Sequence, residues 1–230
     1  MNIAIVMAGG QGTRMSMKDM PKQFIDVCGK PVIIHTLEKF DRHPEIDYIA
    51  VVCIKNWQSE LKTLIEKFKI KKVKWIITGG ETRQESVFNA LNSLNGLSGD
   101  DIVLIHDAAR PFITEKIISD NIKAALTYGA VGTVIPAADT IIKSMDGVKI
   151  SDVPNRKELY LVQTPQSFKF SIIKEAHEAA VIKNVDNATD DCQLVLKSGI
   201  PVHLAAGNKL NFKITTREDL LLFKAVMEMV

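Results

Sequence analysis

The residues best suited to chemistry fall in six stretches. The first is a loop, Met7-Ala8-Gly9-Gly10-Gln11-Gly12-Thr13-Arg14, with Lys22 shortly after it. Three glycines within four residues let the backbone come close to a ligand, so that successive N–H groups can converge on an anion. Arg14 and Lys22 supply the countercharge, and the chemistry this suits is phosphate binding. No Gly-Lys-Ser/Thr follows at the spacing of a Walker loop, and Met15 stands where a dinucleotide fingerprint needs its third glycine. A purely structural turn is the alternative, but a turn requires neither Arg14 nor the run Pro21-Lys22-Gln23.

The other five stretches are Gly79-Gly80 with Arg83 and Ser86, His106-Asp107-Ala108-Ala109-Arg110-Pro111, Asp139-Thr140, Arg156 with Gln163-Thr164-Pro165-Gln166, and Asn211-Phe212-Lys213-Ile214-Thr215. Asp107 closes an apolar run, where a carboxylate either positions Mg²⁺ beside a triphosphate or caps the next helix. His106 is expected to be a hydrogen-bonded structural histidine. Arg83 and Arg110 either face a ligand or pair with Glu81 and Asp107. Ser86 is a ligand contact or a helix-start residue. Lys213 is harder to explain structurally, because it is the one charge in an apolar run.

These stretches need elements to position them. Ile3 to Ala8 reads as a buried strand that breaks into the glycine loop. Lys30-Pro31 sets up a helix through Phe40, Tyr48 to Cys53 is a second strand, and Trp57, Leu61, Leu64, Ile65 and Phe68 share a helix face. Strands over Lys74–Thr78 and Asp101–Ile105 then alternate with helices over Arg83–Leu94 and Glu115–Tyr128. Such alternation predicts βαβ units, a mostly parallel sheet with helices on both faces, and ligand at the strand C-termini. After Val131–Ile135 the rhythm breaks. Asp146-Gly147 between Thr140–Lys143 and Val148–Ile150 predicts a hairpin within a projecting β-arm, 137–163. An arm with little core of its own needs something to pack on, and a second subunit is expected. Helices over Ser171–Ile182 and Asp190–Ser198, a strand over Val202–Ala205, a short run Phe212–Thr215 and a helix from Arg217, capped by Thr216 with Asp219, complete the chain.

The 230 residues suit one domain, 1–230, and 46% apolar with 24% charged residues indicates an ordinary globular chain. A net charge of +2 gives no general reason for a nucleic-acid or membrane partner. Cys28, Cys53 and Cys192 match no metal spacing and are expected to be reduced and buried. No signal-peptide core or membrane span is legible, so a cytoplasmic protein is expected.

Taken together, Ala8 to Arg14, Pro21-Lys22-Gln23, His106 to Pro111, Thr164-Pro165-Gln166, Thr189-Asp190-Asp191 and Lys213-Ile214-Thr215 resemble the cytidylyltransferases that activate polyol phosphates, from residue 3 to about 220. The resemblance implies a Rossmann-like nucleotidyltransferase fold, a homodimer formed through the β-arm, and Mg²⁺-dependent transfer of CMP from CTP to a small polyol phosphate. By matching positions, Arg14 and Lys22 grip the triphosphate, within a nucleotide site that includes Ala8, Gly9, Gly10, Gly12 and Thr13. Gly80, Glu81 and Ser86 surround the cytosine. Asp107, Arg110, Thr140, Arg156, Thr164 and Lys213 hold the polyol phosphate or, for Asp107, the metal. Thr140 and Arg156 act on the neighbour's site in this family.

Asp107-Ala108-Ala109-Arg110, Pro136 to Ile141 and Thr189-Asp190-Asp191 look like the branch that uses 2-C-methyl-D-erythritol 4-phosphate. Pro21 lying seven residues after Arg14, and Pro154-Asn155-Arg156 ahead of Gln163, are similar to the D-ribitol 5-phosphate branch. Phe24 also stands where the first branch more usually has Tyr. On balance methylerythritol phosphate is the expected acceptor and ribitol 5-phosphate the alternative. A substrate phosphate is already a nucleophile, so no covalent intermediate is expected, with positive charge and in-line positioning carrying catalysis. The readings from other classes are a non-catalytic nucleotide-binding regulator and a nicotinamide-dependent oxidoreductase. Against the first stand the charged positions, which are all present, and against the second the missing glycine and ribose-binding acid.

Overall fold

The computed structural model describes residues 1–10, 20–185 and 188–229. Seven strands form the main sheet: β1 (Asn2–Ala8), β4 (Tyr48–Cys53), β5 (Val73–Thr78), β6 (Ile102–Asp107), β7 (Ala130–Pro136), β8 (Tyr160–Lys169) and β9 (His203–Ala206). A two-stranded ribbon, β2 (Asp26–Val27) with β3 (Lys30–Pro31), stands apart. The helices are α1 (Val32–Arg42), α2 (Gln58–Lys67), α3 (Arg83–Ser93), α4 (Glu115–Tyr128), α5 (Phe170–Ile182), α6 (Asp191–Lys197) and α7 (Arg217–Met229). Among the described residues no helix is long and apolar enough to cross a membrane.

The order across the sheet is β5-β4-β1-β6-β8-β7-β9, with β8 antiparallel to both of its neighbours and the other pairings parallel. The chain leaves β1 in one direction through β4 and β5, then returns to place β6 on β1's other side. That reversal opens a crevice beyond the C-termini of β1 and β6, where open α/β sheets bind ligands. Register puts Met7 opposite Asp107, so the glycine loop and the strand-end carboxylate emerge side by side.

The sheet holds together because its central strands are apolar on both faces, as parallel strands covered by two helix layers must be. Along β1, Ala4, Val6 and Ala8 join the core beneath α1, α2 and α4, while Ile3 and Ile5 join the core beneath α3, α5 and α6. This is the period-two alternation of a strand. A third cluster seats Phe223 of α7 against Val27, Val32, Ala109 and Ile214, which brings the C-terminal segment to the crevice. Helix α4 keeps the bounds its sequence suggests. Thr114 accepts the Ile117 N–H at its start, and Gly129, at φ +84°, receives its end.

Three expectations need correction. The β2–β3 ribbon escaped notice because two-residue strands carry no periodic signal; its turn places Cys28 and Gly29 both at positive φ, the pattern of a type I′ turn. Cys28 is consequently exposed, whereas Cys53 and Cys192 are buried.

In the arm, the turn at Asp146-Gly147 exists: Asp146 Oδ1 accepts from the Val148 and Lys149 N–H groups, and Gly147 has φ +72°. Its flanks Thr140–Lys143 and Val148–Ile150 form no strands, and one bridge, Lys143 with Asp152, joins the two sides. The apolar side chains there, Ile142, Met145, Val148, Ile150 and Val153, are exposed with no surface to cover them, and a hairpin without a packed face does not hold a ladder. The last residues assigned to the arm, Tyr160 to Gln163, are the start of β8, where Tyr160, Leu161 and Val162 pair with Pro136, Ile135 and Val134.

Candidate active site

A cavity of about 520 Å³ opens at the crevice. Ala8, Gly9 and Gly10 form one wall, Gly80, Glu81 and Ser86 another, and Lys22, Asp107 and Lys213 line it between them. Nine of the residues singled out in the sequence therefore meet in one place. Gly12, Thr13 and Arg14 lie outside the described residues.

The glycine loop is anchored from below. The buried Gln23 side-chain amide donates to the Ala8 carbonyl at 2.6 Å and the Gly10 carbonyl at 3.1 Å, fixing where the loop leaves β1. The facing turn needs its glycines. A Cβ on Gly80 would stand 2.3 Å from the Glu85 side chain, whose carboxylate accepts the Glu81 N–H at 2.7 Å. Ser86 accepts the Gly80 N–H at 2.9 Å, and its hydroxyl would lie 3.1 Å from a Cβ on Gly79 and 3.6 Å from one on Gly9. The Ser86 hydroxyl thus fixes the Gly79-Gly80 turn and stands in van der Waals range of the Gly9 segment across from it.

Asp107 is the electrostatic centre. Its Oδ2 lies 3.0 Å from Lys213 Nζ and 3.5 Å from Arg110 Nε. Burial opposes its charge, but Lys213, Arg83 and Arg110 outweigh that and hold the carboxyl well below the usual carboxylate range. The segment carrying Lys213 is tied to the same place: Ile214 N–H donates to the Ala109 carbonyl at 2.9 Å, and Lys22 Nζ donates to the Ile214 carbonyl at 2.6 Å.

Beneath Asp107 a chain of buried hydrogen bonds sets the loop. Arg110 O, which can only accept, lies 3.1 Å from His106 Nε2, so Nε2 carries the proton and Nδ1 accepts from the Thr164 hydroxyl at 3.1 Å. Thr164 Oγ1 in turn accepts the Asp107 N–H at 3.1 Å. Complete burial pushes the His106 pKa down to about 4, keeping the ring neutral at physiological pH.

Thr164 and Arg110 therefore do not line the cavity. Thr164 supports Asp107 from below, and Arg110, 9% exposed, donates from Nη1 to the Asn211 carbonyl at 2.8 Å besides facing Asp107. Thr140 and Arg156 lie on the arm, both exposed, and Arg156 donates to the Ala138 carbonyl; neither reaches this chain's own cavity.

Arg83, for which the sequence leaves ligand contact and pairing with Glu81 both open, lines the cavity, as do Thr215 of the Lys213-Ile214-Thr215 run and Thr82, which was not singled out. Thr82 was recoverable, since Thr82-Arg83-Gln84-Glu85 is a helix-start signature and Thr82 accepts the Glu85 N–H. Arg83 does not pair with Glu81. It lies 2.7 Å from Asp191, a partner over a hundred positions away that no local pattern indicates.

Among the described residues no three His, Cys, Asp or Glu side chains gather as a metal cage. Two carboxylate residues, Glu81 and Asp107, line the cavity, and Asp107, the one beside Lys213, fits a hard cation held by a single side chain and by phosphate oxygens. The surroundings suit stabilisation of anions: cations and backbone N–H groups border the cavity, and no histidine lines it.

The depressed Asp107 pKa contributes stability that is fully present above the ordinary carboxylate pKa and is lost as pH falls through the folded value. Lys213→Met raises that pKa towards its unfolded value. Because Arg83 and Arg110 still hold the variant's carboxyl down, we expect the variant to be less stable than the parent at pH 7 and the gap to narrow only as pH falls well below the ordinary carboxylate pKa, read by urea unfolding from pH 7 down to about pH 2. A gap that stays constant with pH contradicts this electrostatic account.

Comparison with known proteins agrees with this geometry. The family model for 2-C-methyl-D-erythritol 4-phosphate cytidylyltransferase, IspD, matches residues 2–229. A ribitol-5-phosphate cytidylyltransferase from Lactiplantibacillus plantarum is 40% identical over 98% of this chain and 97% of its own. The crystal structure of the 4-diphosphocytidyl-2C-methyl-D-erythritol synthase of Anaerococcus prevotii superposes with a TM-score of 0.86 at 32% identity, covering 99% of this chain and 96% of that one. The 2-C-methyl-D-erythritol 4-phosphate cytidylyltransferase of Thermus thermophilus gives 0.78 at 30% identity, covering 97% and 98%. With the family's nucleotidyltransferase fold present from end to end, this chain belongs to the IspD family and is a polyol-phosphate cytidylyltransferase.

Proposed function

We propose that the enzyme transfers CMP from CTP to D-ribitol 5-phosphate. The observation that carries the choice of acceptor is the 40% identity to a ribitol-5-phosphate cytidylyltransferase, above the 32% and 30% to the methylerythritol enzymes of known structure. This reverses the order suggested by the motifs, and the reason is physical. Asp107 to Ala109 line the cavity with Arg110 beneath them, and Asp190 and Asp191 start α6, where Asp190 accepts the Gln193 N–H and Asp191 meets Arg83. Such residues form scaffold that any acceptor would share, so their likeness to the methylerythritol branch carries little information about the acceptor.

In this reading an oxygen of the acceptor phosphate forms a bond to the α-phosphorus of CTP as the bond to the β-phosphate bridge breaks, releasing pyrophosphate. Arg14 and Lys22 neutralise the triphosphate. The Gly80, Glu81 and Ser86 wall takes the base. Lys213 and Asp107 orient the reacting phosphates, and bound Mg²⁺, held by Asp107, would neutralise their oxygens. Two anions must meet, and fixed positive charge lowers that barrier without a protein nucleophile.

The exposed apolar arm supports a homodimer in which Thr140 and Arg156 complete the partner's site, since neither reaches its own.

Pyrophosphate release from CTP, measured with each acceptor, is expected to show kcat/KM at least tenfold higher with ribitol 5-phosphate than with methylerythritol 4-phosphate, the scale on which one or two polar interactions discriminate between small substrates. Chelation of Mg²⁺ should abolish it. The reverse preference restores methylerythritol phosphate, and silence with both overturns the proposal. For the arm, Lys22→Ala and Arg156→Ala should each lower turnover by about 10²-fold. Mixing the two variants should restore activity, because one site of each mixed dimer is then intact. No recovery on mixing places Arg156 in its own chain's site.

A further inference from the structure

The pairing of Arg83 with Asp191 has no purpose in the roles assigned so far. Asp191, the first residue of α6, is 1% exposed, and its carboxylate reaches Arg83 Nη2 at 2.7 Å and His177 Nε2 at 3.1 Å. Its own N–H is held by the Gln166 side chain at 2.9 Å. Burial opposes the Asp191 charge, and Arg83 with His177 overcomes it and draws its pKa below the ordinary range. Burying a carboxylate against a guanidinium is a poor way to gain stability, because desolvation offsets most of the attraction.

The other end of the pair explains the arrangement. Arg83 keeps 28% of its side chain exposed, lines the cavity beside Glu81 and Thr82, and is near enough to Asp107 to depress its pKa. Among the described residues its ion pair with Asp191 is the one it makes. A guanidinium has five donors in a planar fork, so pinning Nη2 by an ion pair to a rigid carboxylate restricts where the others can point. His177 anchors that carboxylate in turn, from α5, with its ring parallel to Phe88 of α3. The aimed group lies between the wall formed by Gly80, Glu81 and Ser86 and the Asp107 centre. With a base on that wall and reacting phosphates at Asp107, this is where the phosphate nearest the nucleoside passes.

We propose that Arg83 contacts a phosphate of the bound nucleotide and that Asp191, braced by His177, is a positioning residue that sets the direction of the Arg83 guanidinium. This rests on the cytidylyltransferase reading and adds one substrate-contacting cation and its support to it.

The test is a double-mutant cycle on the full chain, following pyrophosphate release with CTP and the preferred acceptor. Arg83→Gln should lower kcat/KM for CTP by about 10²-fold, the scale for one preorganised charge-stabilising donor, while the acceptor KM stays within about twofold of the parent. Asp191→Asn should lower kcat/KM for CTP by roughly 10- to 10²-fold, as a misaimed contact does, and should add nothing when Arg83 is already Gln. Parental turnover by Arg83→Gln, a change in acceptor KM in place of the CTP effect, or additive losses in the double variant would each overturn the proposal. Should either variant fail to fold, Arg83→Lys decides: it keeps a positive charge against the buried Asp191 but loses the planar fork, so kcat/KM for CTP should still fall by about tenfold or more with the urea midpoint unchanged, and parental kcat/KM would overturn the proposal. A parent enzyme silent with CTP and every polyol phosphate would instead refute the underlying function.

Discussion

A carboxylate taken out of water at the end of β6 must be held by positive charge, and the crevice is arranged around that requirement. Asp107 is 8% exposed and remains ionised because Lys213, Arg83 and Arg110 surround it. These cations come from three separate places: the segment before α7, the first turn of α3, and the loop that follows β6 itself. Bringing them together requires both helix layers, the reversal of strand order between β1 and β6, and the third core cluster that seats Phe223 under Ile214. Below, the relay from Asp107 N–H through Thr164 to His106 and Arg110 O fixes the backbone from which the carboxylate projects. Removing any of these supports would leave a buried charge or an unpaired buried donor, so the fold and the site are energetically one object.

Much of this was legible in the sequence, and where it was not the cause is identifiable. Central parallel strands are covered on both faces, so β1, β4 and β6 read as unbroken apolar runs, and α4 is bounded by a capping threonine and a left-handed glycine. Gly9, Gly10 and Gly80 stood out because they cluster at strand ends, and at Gly80 a Cβ would meet the Glu85 side chain at 2.3 Å. What was not legible has a common physical origin in contacts that link distant positions. Thr164 and Arg110, matched to ligand contacts by family position, also support Asp107 from below: Thr164 accepts its N–H, and Arg110 faces its carboxylate and donates to the Asn211 carbonyl. Of the two readings open for Arg83, pairing with Glu81 gives way to an ion pair with Asp191 on another helix. The arm's hairpin was readable in its turn but not in its strands, since its apolar side chains are exposed and one bridge joins its two sides.

The acceptor is the property that lies furthest from local sequence pattern. At the start of α6, Asp190 accepts the Gln193 N–H and Asp191 meets Arg83, so both are engaged in scaffold contacts, whereas the arm, which carries Thr140 and Arg156, is exposed in the single chain. Resemblance across the whole chain is therefore a better guide to the acceptor than resemblance in the motifs.

In the proposed reaction, fixed positive charge around Asp107 drives one direct displacement at phosphorus, with no enzyme-bound intermediate. The measurement that tests it most directly uses CTP with sulfur of defined configuration at the α-phosphorus and determines the configuration of the product. A single in-line displacement gives inversion, and that is the result expected. Retention requires two successive displacements through a covalent enzyme species, and would contradict the account.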